Sequence, residues 1–440
     1  MKKELRYGLL FIVYCLLTMT SCLKDQEDYF EESSSDRMLN TMHWVQDVLR
    51  SSEYGWALEY FPGSDLAYGG IVYTVKFDSL EAHVGCTLVP DSTYTSYYKV
   101  TNDNGPVISF DTYNPLLHYF STPSSSEYEA KGGEFEFVVV SNNGENSMKA
   151  EEITELVLYG KKTYNTMYLR RLTESAEKYT EKTINVYDHF VERLAGKFGD
   201  TDVEGKVNLQ EKSVELVCGN DTLKNSFTYT DYGIRFYRPF NLRGLSAQSF
   251  DYDIETMELR CRDEGCEGVL LQGLPFDNTR MSLKDYEGSY ALRYDNNSSV
   301  RVKMRMNRLD GSLLLSGLSP MYDLRLHYDY ETGDLRIAPQ VIGELGGRSV
   351  YFCTYNSVGG NIWVTEKASL DIKWNGNKVY SSFNFVTTDP VNYPCDSGLI
   401  VALYNNEEGR LTASLVDEAA WMVNGSPLIA NMRTLTKLRN

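Results

Sequence analysis

Residues 299–318, SVRVKMRMNRLDGSLLLSGL, alternate apolar and charged positions with a period of two. Strand side chains point to opposite faces in turn, so Val300, Val302, Met304 and Met306 share one face and Arg301, Lys303 and Arg305 the other. Such a segment buries its apolar face by joining a sheet, and Asp310-Gly311 supplies a tight turn to an antiparallel partner. Charge on the exposed face of a strand is ordinary, so this cationic face reads as solvated. The same period recurs over Val72–Phe77, in FEFVVV at 135–140, from Glu155 in ELVLYGKKTYNTMYLRRL, and in VELVC, YGIRFYRPF and SFDYDIETMELRC. This predicts a mainly β protein of α+β class with a few helices, whose antiparallel sheets curl into barrel or sandwich-like domains preceded by an amphipathic helix.

Two stretches break that period. Met38, Met42, Val45 and Leu49 recur at helical spacing and predict a helix over 36–52, with Ser35 or Asp36 as its cap. Ile184, Tyr187, Val191 and Leu194 predict a second over 180–196. A chain of 440 residues exceeds what one core organises. The breaks divide it into a signal peptide (1–21), a lipidated tether (22–35), an N-terminal helix with an antiparallel β domain and connecting helix (36–197), a middle β region (198–285) and a C-terminal β domain (286–440). Tyr252, Tyr328 and Tyr404, each 76 residues apart, open YDIETMELR, YDYETGDLR and YNNEEGRL, the first two alike at six of nine positions. Either successive β units repeat one hairpin, or turn chemistry alone favours the same residues.

The N-terminus predicts the address. Lys2, Lys3 and Arg6 precede the apolar run Tyr7–Leu17, which has signal-peptide length and is too short to span a membrane. MTSC then resembles a lipobox, with the Cys22 thiol as the site of lipidation and acyl chains as the anchor. Lys24, Asp25, Glu27 and Asp28 follow in the manner of an export signal for the outer face of an outer membrane. The formal net charge of -18 opposes nucleic-acid binding, and loss of residues 1–21 makes it more negative by two.

Chemical signatures are sparse. No HExxH, GxSxG, P-loop, paired CxxC or dinucleotide glycine pattern occurs, the five histidines are scattered, and no catalytic residue is assigned. His189 and Glu192 stand one helical turn apart, a spacing more often used in packing than in metal binding. Asp200, Asp202, Glu204 and Glu211 stand at positions 1, 3, 5 and 12 of a calcium-type loop, with Gly205 at 6. Val203 and the strand text of KSVELV oppose that reading, and the alternative is a hairpin pairing GKVNL with SVELV around QEKS. Trp363, Tyr351 and Tyr355 are candidates to present rings to a ligand, or to pack within a two-layer domain, while Trp374 shares a face with Leu370 and Ile372 and reads as core. Cys86, Cys218, Cys261, Cys266, Cys353 and Cys395 remain after processing and allow 15 pairings, with Cys261 and Cys266 as candidates for a disulfide across a tight loop or for free thiols.

GWALEYFPGSDLAYGGIVYTVKF, NGPVISFDTYNPLLHYFSTP and the trio GGEFEF, LYGKK and YLRRL together resemble a family of uncharacterised outer-membrane lipoproteins of Bacteroidota over about residues 30–275. The shared pattern includes Trp56, Tyr60, Pro62, Gly69, Gly70, Asn104 to Pro106, Phe110, Gly132, Gly133 and Lys161. The resemblance implies a surface-exposed lipoprotein encoded beside an outer-membrane TonB-dependent transporter and a substrate-capture lipoprotein of the starch-utilisation type, and assigns no site residue. The expectation is a non-enzymatic accessory of nutrient uptake that binds a glycan or peptide. The rivals are a hydrolase with acids assembled in space and a structural or adhesive surface protein.

Overall fold

A computed structural model of the chain describes residues 33–103, 105–124, 130–140, 148–295, 297–378, 380–405, 409–412 and 421–439. The signal segment, Cys22 and the export-signal residues lie outside this set, as does Asn104. Among the described residues the strands close three antiparallel eight-stranded barrels, the first two from consecutive strands, so the mainly β expectation holds in its barrel form. The first barrel runs from Trp56–Tyr60 to Thr166–Arg171, which pair to close the ring. The second runs from Arg193–Phe198 to Val269–Gly273 and the third from Gly288–Tyr294 to Thr434–Lys437. Strand Arg193–Phe198 belongs to the second barrel, which therefore begins before residue 198.

Eight strands enclose a space that side chains can fill, and here aromatic rings fill it. Trp56, Tyr60, Tyr73 and Phe137 lie in the first core, Phe227, Phe236 and Phe250 in the second, and Tyr286, Tyr290 and Phe383 in the third. The tyrosines bring a polar tip inside and must satisfy it. Tyr60 accepts from the Glu134 N–H at 2.6 Å, and Tyr73 donates to the Leu116 carbonyl at 3.1 Å.

Helix α1 (Ser34–Ser51) starts earlier than its periodicity suggested, because Ser33 rather than Ser35 or Asp36 caps it by accepting from the Asp36 N–H at 3.1 Å. Its Val45, Val48 and Leu49 join the first core, and the Trp56 indole donates to the Leu49 carbonyl at 2.8 Å. Helix α2 (Ala176–His189) is capped by Ser175 and ends well before residue 196. Val191 follows it and Leu194 lies in the next strand, where helical and two-residue periods overlap in the sequence. The Lys284 ammonium terminates α2 by donating to the carbonyls of Tyr187 and Asp188 at 2.8 Å and of Phe190 at 3.4 Å. Tyr179 of α2 packs on Ala57 and Val72 outside the first barrel, while Val186 enters the second core.

The barrels are joined by buried polar contacts. Glu59, on the outward face of the first barrel and 1% exposed, sits 2.9 Å from both Arg170 and Arg235, and Arg235 lies 4.1 Å over the Tyr168 ring. At a second junction, turns from all three barrels meet. Lys212 of the second barrel, 1% exposed and with φ of 47°, donates to the carbonyls of Tyr68 in the first barrel and Leu309 in the third, and burial pushes its ammonium down to about 8. Asp310 accepts from the Tyr119 hydroxyl at 2.7 Å and lies 3.5 Å from Lys131. Against burial, which acts to raise it, hydrogen bonds from Ser312 and Tyr119 hold the Asp310 carboxyl below its ordinary value.

Tyr252, Tyr328 and Tyr404 pair across their hairpins with Leu259, Leu335 and Leu411 respectively. In the first two, Asp253 and Asp329 accept the same two following N–H groups through one oxygen. These hairpins occupy the sixth and seventh strands of the second barrel but the fourth and fifth of the third, and the last lies outside the barrels. Shared turn chemistry, not repetition of a whole unit, accounts for the likeness.

Candidate ligand-binding groove

The third barrel is interrupted twice. Gln340–Leu345, Arg348–Asn356 and Asn361–Trp363 come before its sixth strand, and Gly398–Asn405, Arg410–Thr412 and Leu428–Ile429 before its eighth. The six segments form a separate antiparallel sheet around the pair Arg348–Asn356 and Gly398–Asn405. Period-two alternation divides its faces: Val350, Phe352, Leu399, Val401 and Leu403 join the barrel core, while Cys353, Ile400 and Ala402 form a second cluster on the outer side with Tyr351, Tyr355, Ile362 and Leu411.

On that outer side lies a groove of about 520 Å³ whose walls include Tyr351, Ile362, Val364, Tyr404, Arg410 and Leu411. Val364 is 53% and Tyr404 37% exposed, so apolar surface and rings reach solvent in a concavity that also offers a guanidinium. Such a surface suits a sugar ring or an apolar side chain laid against tyrosine, with Arg410 placed for a polar substituent. Burial pushes the neighbouring Cys353 thiol up to about 12, so that cysteine is not a thiolate nucleophile at neutral pH.

The structure separates the three predicted aromatics. Tyr351 lines the groove, and Tyr355 packs in the outer cluster opposite Ile362. Trp363 pairs with Thr354 and faces the other way, its ring 5.4 Å from Tyr393 and its indole donating to the Pro394 carbonyl at 3.0 Å. A platform of all three is thus corrected, because neighbouring positions on a strand point to opposite faces. Ile362, Val364 and Arg410 were missed by sequence reasoning; Tyr404 had been noticed only as a hairpin marker.

The calcium reading is corrected likewise. Thr201–Asn208 is a barrel strand paired with Ser213–Cys218 in the hairpin register, Val207 opposite Val214. Asp202 pairs with Lys197 at 3.4 Å and Glu211 with Lys224 at 3.0 Å, and Asp200, Asp202, Glu204 and Glu211 do not converge on a common point. The described residues hold one acid and histidine group at metal-ligand distances, Asp78, Glu81 and His83, at a turn where Asp78 already accepts the N–H groups of Leu80 and Glu81. Cys261 and Cys266 are buried free thiols rather than a disulfide; the Cys261 thiol donates to Asp263 at 3.5 Å and Cys266 packs in the second core. His189 and Glu192 do not converge as a metal-ligand pair: the ring contacts the Asn185 carbonyl, and the carboxylate pairs with Arg280.

The residues that carried the family resemblance have structural duties. Trp56 anchors α1, and Lys161 pairs with Asp103 and Glu136 at 2.8 and 3.2 Å. Gly69, with φ of 59°, passes so close to the second barrel that a Cβ would stand 2.4 Å from the Glu211 carbonyl oxygen.

No curated protein matches the chain. A solved structure described as "Structure and mode of action of a mosquitocidal holotoxin" matches at 9% identity over 86% of this chain and 50% of that one, with a TM-score of 0.16, which carries no argument. The chain spans half the length of that toxin chain. A second domain of unknown function, DUF4987, matches residues 262–401, from the end of the second barrel into the third. Residues 26–254, more than half of the chain, match the domain of unknown function DUF4302, and the protein belongs to that family.

Proposed function

We propose that this protein is a lipid-anchored, non-enzymatic accessory of outer-membrane nutrient uptake on the cell exterior, and that it binds a glycan or peptide in the groove of the inserted sheet. The observation that carries the reading is the solvent-open concavity formed by Tyr351, Tyr404, Ile362 and Val364 beside Arg410. The lipobox-like MTSC and the resemblance to Bacteroidota surface lipoproteins support the address, with a TonB-dependent transporter and a substrate-capture lipoprotein as partners.

The test uses the full chain in detergent, isolated from membranes. Glycan arrays, peptide libraries and calorimetry are expected to give a ligand whose affinity falls at least tenfold in Tyr351→Ala and Tyr404→Ala, about 1.4 kcal/mol each. Cys22→Ser is expected to move the protein from the membrane to the soluble fraction. Absence of any ligand, with no transporter co-purifying, refutes the binding role; membrane retention of the serine variant refutes the anchor.

A further inference from the structure

A second cavity, about 340 Å³, lies between α2 and the outer face of the first barrel. Tyr179 seats the helix by packing on Ala57 and Val72, and the neighbouring stripe of Glu177, Thr180, Glu181 and Ile184, spaced i, i+3, i+4 and i+7, overhangs the sheet. Beneath it Thr74 of strand Ile71–Phe77, Gly85 of Glu81–Cys86 and Thr93 of Val89–Asn102 stand side by side, Gly85 pairing with both threonines. Pro90, Ala176 and Ile184 supply apolar wall, and the Cys86 thiol, pushed up to about 11 by burial, adds no charge.

Gly85 opens the floor. A Cβ there would stand 2.7 Å from the Thr74 hydroxyl oxygen and 3.7 Å from that of Thr93, so glycine leaves both hydroxyls bordering one gap. Thr74 is 8% exposed, lines the cavity, and among the described residues its hydroxyl makes no hydrogen bond. A hydroxyl withdrawn from bulk water and unpaired by the protein is satisfied by a polar group placed in the gap.

The helix side of the cavity is acidic. Residues four apart on a helix have Cβ atoms about 5–6 Å apart, so the exposed Glu177 and Glu181 repel one another, and a cation between them removes that cost. Hydrogen bonds from its own N–H and from Ser175 hold the Glu177 carboxyl below its ordinary value. Among the described residues no lysine, arginine or histidine lines the cavity. Lys76, on the same sheet face, is tied to the carbonyls of Ser52 and Glu53, and Lys182 of α2 to Glu174. We propose that this cavity binds a small organic ammonium ion, its charge between the Glu177 and Glu181 carboxylates, its alkyl stem on Pro90, Ala176 and Ile184, and a hydroxyl at its far end against Thr74 and Thr93. The same carboxylates repel an anion and give a neutral polyol no charge to pair with. The volume is at the low end for ligand sites, about 300–1,000 Å³, which suits a small molecule rather than a polymer.

The test is ligand-observed NMR and calorimetry on the full chain with aminopentanol, pentanediol and hydroxypentanoate, unbranched probes of one length with a polar group at each end. Aminopentanol is expected to bind, and the neutral diol and the anion to bind at least tenfold more weakly. Glu181→Gln, at an exposed position, is expected to keep the wild-type melting temperature and weaken aminopentanol at least tenfold. Thr74→Val, which keeps the side chain's shape, is expected to weaken it at least threefold. Tyr351→Ala/Tyr404→Ala, and Glu264→Gln at an exposed acid of the second barrel, are expected to leave it unchanged. No binding of aminopentanol, or binding that survives Glu181→Gln, overturns the proposal. Equal binding of the diol overturns it, as does equal weakening by Glu264→Gln, which would show only the pull of the net charge. Binding lost only with the tyrosine pair also overturns it and moves the amine to the groove.

Discussion

Replacing Asp310 by Asn tests whether the three barrels are held as one body by charge. Asp310 comes from a turn of the third barrel, and its side chain is 2% exposed. It takes the Ser312 N–H at 3.0 Å, the Ser312 hydroxyl at 2.6 Å and the Tyr119 hydroxyl at 2.7 Å, with the buried Lys131 ammonium at 3.5 Å. Asn keeps the shape and the Ser312 bonds. It removes the anion that faces Lys131 and Lys212, and it sets an NH₂ against a tyrosine oxygen that already receives the Asn307 amide at 2.7 Å. Taking one partner from a buried ion pair costs about 3–5 kcal/mol, and the lower end applies because Lys131 also rests on the rings of Tyr68 and Tyr119. The expected loss is therefore about 3 kcal/mol at pH 7 in urea unfolding of the full chain. A double-mutant cycle with Tyr119→Phe is expected to show coupling of about 1–2 kcal/mol. The folded-state pKa of Asp310 lies below its unfolded value, so its contribution is present above the ordinary carboxylate range and fades as pH falls through the folded value. The gap between wild type and variant must shrink in acid. A loss under 0.5 kcal/mol, or a gap that stays constant from pH 7 to pH 3, refutes the reasoning.

Lys212 carries the opposite pH signature. Its pKa drops from 10.5 to about 8 on folding, so between those values the unfolded chain binds more protons and stability rises with pH. Relative to Lys212→Met, wild type is expected to gain about 3 kcal/mol from pH 8 to pH 10.5, following 1.36 kcal/mol per pKa unit, and a flat difference in chemical denaturation contradicts the burial of the charge. Gly69→Ala puts a Cβ into a left-handed backbone and against Glu211, and is expected to cost about 2 kcal/mol or more and to separate the unfolding of the first two barrels in calorimetry. A single unchanged transition argues that the contact is not tight.

Strand text was legible wherever one face meets solvent. Val302 and Met304 point inward and Arg301 and Lys303 outward, as their alternation required. It was least legible where barrels meet, since Trp56–Tyr60 is buried on both faces and its Glu59 looks from sequence like an ordinary surface acid. Gly69 needs glycine's permissive backbone at φ of 59°, and nothing local shows that Gly69 and Gly70 also serve the approach of another barrel: a Cβ on Gly70 would lie 2.5 Å from the Thr228 side chain. Asp310-Gly311 was read correctly as a turn, but nothing local marks the turn that enters a three-way junction. The groove was half visible for the same reason. Tyr351 and Tyr355 share a strand face that alternation defines, while Val364, Tyr404 and Arg410 reach it through pairings set over tens of residues.

Filled barrels restrict where a ligand can go. An eight-stranded barrel holds a small molecule only if its inward residues leave room, and here Trp56, Tyr60, Tyr73 and Tyr290 occupy that room at no more than 1% exposure. Emptying one such position costs about 3–5 kcal/mol, which places the proposed binding outside the barrel interiors. The inserted sheet completes the third core with its inner face and carries the proposed binding groove on its outer one. Excising it would expose Val350, Phe352, Val401 and Leu403, each worth about 1.5–3 kcal/mol when buried, and would unfold the barrel before reporting on binding. Point changes on the outer face avoid this. Tyr404→Ala, at an exposed position whose strand partner is Leu411, is expected to change stability by less than about 1 kcal/mol while altering the groove. A larger loss identifies Tyr404 as part of the core and moves the binding surface elsewhere.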